Sequence, residues 1–284
     1  MKLPRGTVAA ITGAGSGIGR ALALNLAGRG CALAIADWRS ETLEETAELA
    51  RVAGAQAVSM HVCDVSDSAA VEGYAADALA AHGGVHLLIN NAGVALGGTF
   101  QEISLADFHW LMSINFWGVI HGCKAFLPTL LRQREAHIVN VSSVFGLLAP
   151  PGQSAYVASK YAVRGFTESL RLELRHTAVR VSAVHPGGIA TNIAKNARVG
   201  SQVRDVSPER AAQERTSIER MLTLPPERAA AIIVAGIERN QRRILVGKDA
   251  ERIARLTRWL PLSMIEHGIL RQLDDQTASI RVDA

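Results

Sequence analysis

Tyr156 and Lys160 stand four residues apart in Tyr156-Val-Ala-Ser-Lys160, downstream of a loop that starts at Ser143. Pro150, Pro151 and Gly152 break regular structure in that loop, whereas residues from Ala155 onward tolerate a helix. Tyr156 and Lys160 are therefore predicted to share one helix face, with an ammonium beside a phenol. A free tyrosine titrates at about 10, and a neighbouring positive charge favours its phenolate. So placed, it can exchange a proton with an alcohol or a carbonyl. Tyr-x-x-x-Lys also occurs on helix surfaces with no chemistry attached, and what decides between the two is the rest of the chain.

Several polar positions sit where apolar runs end. Val8 to Thr12 is followed by Gly13-Ala-Gly15-Ser16-Gly17-Ile18-Gly19 and then by a helical pattern from Arg20 to Leu26. Strand, glycine turn and helix in that order suit a dinucleotide: glycines let the backbone approach a pyrophosphate, and N–H groups at the helix start attract its charge. The spacing is Thr12-Gly13-x-x-x-Gly17-x-Gly19 rather than Gly-x-Gly-x-x-Gly, and glycine also serves turns for conformational reasons alone. The second strand, Ala32 to Ala36, runs into Asp37, at the distance from the turn where a ribose-binding acid belongs. A third, Ala57 to Val62, ends in Cys63-Asp64-Val65; Asp64 either bonds an adenine amino group or is a turn acid before Ser66 and Asp67. Val85 to Ile89 runs into Asn90-Asn91-Ala92-Gly93, and small polar residues at such a strand end mark where a ligand crosses an open parallel sheet.

Asn115 lies inside a long apolar helix pattern from Ser104 to Pro128, where an amide is by residue type a satisfied core group. His137 to Val141 ends in Ser142-Ser143, and Val179 to Val184 leads into His185-Pro186-Gly187-Gly188-Ile189-Ala190-Thr191. His185 has no acidic or cysteine partner at ligand spacing and is read as a loop residue. Asn192 to Leu224 is polar and charged, the composition of a mobile segment with short helices; Pro225-Pro226 then opens a helix, and Arg243 to Gly247 is a seventh strand. Strands alternate with helices and no linker intervenes. The fold class is thus α/β, a Rossmann-type doubly wound sheet of seven mostly parallel strands with helices on both faces.

The 284 residues are 48% hydrophobic and 5% aromatic, which suits one large α/β domain. A net charge of +4 without a polybasic run, and without aromatics interleaved with bases, argues against nucleic acid. Cys31, Cys63 and Cys123 stand alone, as reduced packing residues, and no metal set is spaced for binding. Thr12 and Gly13 end the first apolar run too early for a signal-peptide core, so a cytoplasmic protein is expected.

Taken together, Thr12 to Gly19, Asp64-Val65, Asn90 to Gly93, Asn115, Ser143, Tyr156 to Lys160 and Pro186-Gly187 with Thr191 resemble the short-chain dehydrogenase/reductase family, over roughly Arg5 to Gly247. The resemblance implies that Tyr156 is the general acid/base, that Lys160 binds the nicotinamide ribose and lowers the tyrosine pKa, and that Ser143 bonds the substrate oxygen. Asn115 would hold a water linking Lys160 to solvent. Gly13, Gly15, Ser16, Gly17, Ile18, Gly19, Asp37, Asp64, Val65, Asn91, Ala92, Gly93, Pro186 and Gly187 would bind the cofactor, with Ile189 and Thr191 at the carboxamide. It also implies a dimer or tetramer. A catalytic domain over 1–248, with its mobile segment at about 192–224, would be followed by an extension over 249–284.

Hydride exchange between a secondary alcohol and a ketone is the expected reaction; hydroxysteroids and 3-oxoacyl substrates are the rivals, and a silent nucleotide-binding protein is the other class. Val94, Val144, Phe145, Leu147, Leu148 and Ile193 are the expected substrate walls and suggest a hydrophobic body. NAD is expected over NADP because Asp37 would repel a 2′-phosphate, with Arg39 expected to point to solvent. Beyond Gly247, Ile253, Leu256 and Leu260 share a helix face with Trp259 nearby, and Arg252, Arg255 and Arg258 share another. That helix is expected to pack over the crevice or an oligomer interface rather than on a membrane.

Overall fold

Small and β-branched residues in short runs, buried on both faces, are what a parallel sheet between two helix layers demands. The computed structural model describes residues 1–202, 222–261, 263–265 and 267–268. Its strands are β1 (Val8–Thr12), β2 (Ala32–Asp37), β3 (Val58–Val62), β4 (Leu87–Asn90), β5 (Leu96–Gly97), β6 (Ala136–Val141), β7 (Val179–Pro186), β8 (Arg198–Val199) and β9 (Arg243–Val246). Seven of them form one sheet in the order β3-β2-β1-β4-β6-β7-β9, every pair parallel, while β5 and β8 pair separately. Every residue of β1, β2, β4 and β6 is buried.

The helices are α1 (Gly17–Ala27), α2 (Ser40–Val52), α3 (Ser68–His82), α4 (Leu105–Met112), α5 (Gly118–Leu130), α6 (Ser154–Glu173), α7 (Pro226–Glu238) and α8 (Lys248–Trp259). Leu22 and Leu26 of α1, Leu43 of α2, and Ile233 and Ile237 of α7 form the core on one sheet face. Tyr74 of α3, Phe126 of α5, and Val163 and Leu170 of α6 form it on the other. Each buried leucine of this kind contributes about 1.5–3 kcal/mol. The sheet order reverses between β1 and β4, so the carboxyl ends of β1, β4 and β6 open into one crevice.

The predicted helix from Ser104 to Pro128 is divided. A capping box at Ser104 and Asp107 starts α4, a π-helical segment spans Ser113–Trp117, and α5 then runs on to Leu130. Within the π-helical turn, Asn115 is fully buried and aims its amide at the Val94 backbone. His185 also departs from expectation: it is no loop residue but part of β7 and fully buried.

Helix α8 packs beside β9, with Ala250 buried and the Asp249 carboxylate accepting the Gly188 N–H at 2.7 Å. No described residue of α8 lines the crevice, and Trp259 is 75% exposed. Among the described residues no helix is long and apolar enough to cross a membrane. Residues 203–221 of the segment expected to be mobile, and the extension past 268, lie outside the described residues.

Candidate active site

The crevice is a cleft of about 700 Å³. Gly13, Ser16, Gly17, Ile18, Asp37, Asp64, Val65, Asn91, Ala92, Gly93, Ser143, Tyr156, Lys160, Pro186, Gly187, Ile189 and Thr191 all line it. Of the residues singled out from sequence, Gly15, Gly19 and Asn115 stand behind that wall. Gly15 donates its N–H to Asp37 Oδ2 at 2.9 Å. At Gly19 a Cβ would lie 2.0 Å from the Gly13 carbonyl oxygen, so only glycine lets α1 start this close to the turn.

Two short turns bring the polar groups together. In the first, β6 ends at Val141, and Ser143 begins a 3₁₀ turn over Val144–Gly146 whose Phe145 N–H donates to Ser143 Oγ at 3.1 Å. Arg164 of α6 donates to the Gly146 carbonyl at 3.0 Å, and His185 Nδ1 lies 2.9 Å from the Ser143 carbonyl. Burial pushes His185 down to about 4, so its ring is neutral, and facing a carbonyl, Nδ1 is the nitrogen that carries the hydrogen. Sequence reasoning missed this clamp because nothing local in His185-Pro186-Gly187 points at Ser143, 42 positions away.

In the second turn, α6 starts after Gln153 and carries Tyr156 and Lys160 on one face. The Ser143 side chain lies close enough to the Tyr156 hydroxyl to pull its pKa down. Lys160 Nζ donates to the Val141 carbonyl at 3.1 Å and sits 5.5 Å from the Tyr156 ring centroid. Asn115 closes the group from behind: its Oδ1 accepts the Val94 N–H at 2.8 Å and its Nδ2 donates to the Val94 carbonyl at 2.9 Å. Nδ2 also lies 3.3 Å from Ser159 Oγ, which donates to the Tyr156 carbonyl at 2.7 Å. A Cβ on Gly93 would fall 3.2 Å from Asn115 Oδ1 and 3.5 Å from Lys160 Nζ, so the amide and the ammonium converge on one glycine.

Electrostatics here differ from the expectation that Lys160 depresses the tyrosine. Burial pushes the Tyr156 pKa up, the Ser143 side chain pulls it the other way, and burial prevails. The same burial lowers Lys160 to about 8, since an ammonium loses its hydration as a phenolate does.

The other end of the cleft fits a dinucleotide. Gly13 and Gly17 have φ of 65° and 53°, and Ser16 caps α1 without a side-chain bond, which leaves first-turn N–H groups directed at the crevice. Asp37 Oδ2 takes the Gly15 N–H and Oδ1 takes the Arg39 N–H at 3.1 Å, which fixes the carboxylate at the strand end. Arg39 does not point away to solvent. That bond folds the chain back, its guanidinium carbon lies 5.6 Å from the Trp38 ring centroid, and the side chain lines the cleft. Asp64 serves its own turn, accepting from the Ser66 N–H and hydroxyl at 2.9 and 2.8 Å, while Asp67 caps α3.

This arrangement can be set against known proteins. A family model described as short chain dehydrogenase matches residues 7–202. The chain belongs to the short-chain dehydrogenase family. It is accordingly an oxidoreductase. It is 47% identical over 258 residues to SadH of Mycobacterium tuberculosis, covering 89% of this chain and 90% of that one. A Burkholderia phymatum short-chain dehydrogenase solved in complex with NAD superposes with a TM-score of 0.80 at 38% identity, covering 90% of this chain and 94% of that one. A Thermococcus sibiricus alcohol dehydrogenase complexed with 5-hydroxy-NADP gives 0.71 at 28% identity, over 84% and 93% of the chains.

The walls of this dehydrogenase cleft are only partly those expected. Val94 and Ile193 line it, joined by Ala95, Trp110, Ile114, Arg198 and Leu222. Leu147 and Leu148 instead line a separate groove against α8, because the 3₁₀ turn directs the following residues to the far side. Val144 is buried, and Phe145 meets Tyr156 edge to face at 6.1 Å.

Proposed function

We propose that the chain interconverts a secondary alcohol and a ketone by hydride transfer to and from a nicotinamide cofactor. The observation that carries this is Tyr156 beside Ser143, with Lys160 one helical turn on, in the cleft that also holds the glycine turn. As the alcohol carbon loses hydride, its oxygen must lose a proton, and Tyr156 accepts it; in reduction Tyr156 returns it. Ser143 holds the oxygen, Lys160 steadies the phenolate, and Asn115 fixes the Val94 backbone and helps order a water toward Lys160. The bound cofactor supplies the hydride acceptor and, when oxidised, a positive ring beside the phenolate. Ile189 and Thr191 orient the carboxamide end, and Asp64 and Val65 stand at the adenine.

The catalytic unit is residues 1–248, with 249–284 as an extension, in a cytoplasmic enzyme. Apolar Val94, Ala95, Trp110, Ile114 and Leu222 favour a hydrophobic substrate body, which keeps hydroxysteroids and 3-oxoacyl compounds as candidates. A panel of alcohols and ketones, followed by nicotinamide absorbance with each cofactor, tests the reading. Turnover of hydrophobic members is expected, and no turnover anywhere in the panel would favour a silent nucleotide-binding protein.

NAD is the cofactor we favour, since the fixed Asp37 carboxylate suits ribose hydroxyls and opposes a 2′-phosphate. Arg39 in the cleft works against this, but its guanidinium is drawn toward the Trp38 ring, 5.6 Å from the centroid. Wild type should prefer NAD by about tenfold or more, roughly 1.4 kcal/mol, and Asp37→Ala should erase most of that margin. A wild-type preference for NADP would overturn the assignment.

Oxidation needs the phenolate and reduction the phenol. Because burial lifts the Tyr156 pKa, oxidation should climb with pH through the alkaline range and reduction should fall only there. Ser143→Ala removes the contact that lowers this pKa, so both limbs should move to higher pH. Limbs that stayed fixed or moved down would detach Ser143 from the titration of Tyr156.

Self-association through the helices carrying Asn115 and Tyr156 fits the 51% exposure of Trp117. Light scattering at micromolar concentration should give a dimer or tetramer, and a monomer mass would refute it.

A further inference from the structure

Arg198 is a cation in the cleft that hydride transfer does not use. It belongs to β8, whose Arg198 N–H donates to the Ala95 carbonyl at 3.1 Å and whose following Gly200 N–H donates to Gly97 at 2.8 Å. Its guanidinium carbon lies 3.7 Å from the centroid of the Trp110 ring, in direct face contact. Trp110 comes from α4 and lines the cleft with it. No carboxylate of the described residues pairs with Arg198, and no described polar atom takes a hydrogen from its guanidinium. Asp107, the acid of α4, is occupied by its capping box and by the Ser201 N–H and hydroxyl at 3.0 and 2.5 Å.

Pinning β8 does not require the guanidinium. The backbone bonds to β5 and the Ser201 bonds to Asp107 already hold the segment. What stacking on Trp110 does achieve is orientation: a guanidinium lying flat on an indole keeps its N–H groups in plane, pointing outward from the ring edge. Such a fork matches the two oxygens of a carboxylate, and its entropy of ordering is already spent. It is also exposed, as a group that meets the solvated end of a substrate should be. Its immediate partners, Ala95 and Trp110, belong to the substrate walls and not to the glycine turn.

We propose that Arg198, held on Trp110, is the anchor for a carboxylate on an otherwise apolar substrate, so that the preferred ligands are oxo or hydroxy acids rather than neutral ketones. Apolar Val94, Ile114, Ile193 and Leu222 take the chain, and Tyr156 meets the reacting oxygen. This rests on the alcohol–ketone reading for the reaction but not for the binding.

The test uses the full chain with saturating NAD, titrated calorimetrically with decanoate and with decanamide, which share a chain and differ in charge. Decanoate should bind about tenfold or more tightly than decanamide, as a charge-assisted pair at an exposed site allows. In Arg198→Gln the ratio should collapse toward one, and in Arg198→Lys, which keeps the charge without the fork, it should fall between. Equal affinities in wild type, no binding of either ligand, or a preference that survives in Arg198→Gln would each overturn the proposal. So would a variant that loses NAD affinity and keeps the carboxylate preference, since Arg198 would then serve the cofactor. If the preference collapses as expected while no alcohol or ketone is turned over, the carboxylate anchor stands and the hydride reading falls.

Discussion

Replacing Tyr156 with phenylalanine should lower turnover by about a hundred- to ten-thousand-fold while leaving cofactor affinity close to wild type. The ring keeps its edge-to-face contact with Phe145 and its place above Lys160, so the fold has little reason to respond. Only the hydroxyl is lost, and with it the contact with Ser143 and the group that exchanges the proton. Ser143 Oγ keeps the Phe145 N–H, which holds its turn in place. Steady-state rates and a fluorescence titration of the cofactor on the same preparation would separate the two effects. A Phe variant with wild-type rate would remove Tyr156 from the chemistry; one that lost cofactor binding equally would make it a structural residue.

A pair of substitutions should act in opposite directions although both read glycine to alanine. At Gly19 the new methyl would be driven within 2.0 Å of the Gly13 carbonyl oxygen and 2.6 Å of Asn91 Nδ2. That amide bridges the Thr12 and Gly13 carbonyls at 3.0 and 3.2 Å, so the methyl would part β1 from the turn after β4. Overpacking of this kind costs about 1–3 kcal/mol, and because it spreads the phosphate cradle, cofactor affinity should fall by about ten- to a hundredfold. Gly73, inside α3, has nothing within 4 Å of the same methyl. There alanine should raise stability by up to about 1 kcal/mol, through helix propensity alone. Thermal melts with and without cofactor would read both; a Gly19→Ala enzyme that bound cofactor normally would show that the turn can relax.

Much of this was legible in the chain because parallel sheets write themselves as isolated apolar runs, each closed by the residues that serve the crevice. Val8–Thr12, Ala32–Asp37 and Ala136–Val141 are of that kind, and their glycine, aspartate and serine ends meet in one cleft. Tyr156 and Lys160 were legible because helix periodicity alone puts them together. What escaped was contact between distant segments. The imidazole of His185 meets Ser143 only because β6 and β7 are neighbours in register, Val141 opposite Val184. Leu147 and Leu148 are apolar and close to Ser143 in sequence, yet a three-residue turn aims them at the groove beside α8. Arg198 stacks on Trp110 through a two-residue strand too short to leave any alternation. Arg39 turns inward for a backbone bond to Asp37 that its own side chain does not announce.

The π-helical turn at Ser113–Trp117 bears on how this protein can vary by inheritance. Such a turn is an α-helix that has taken in one additional amino acid, and it persists where the displaced residue is useful. Loss of a single codon there would restore regular helix without any break in the chain. Everything on one side of the deletion would then swing by about 100° relative to the other. Asn115 would leave the Val94 backbone, or Gly122, which packs against Asn90, would be replaced at that contact by a bulkier neighbour. A deletion that restores regular helix in an isolated peptide would thus abolish the enzyme.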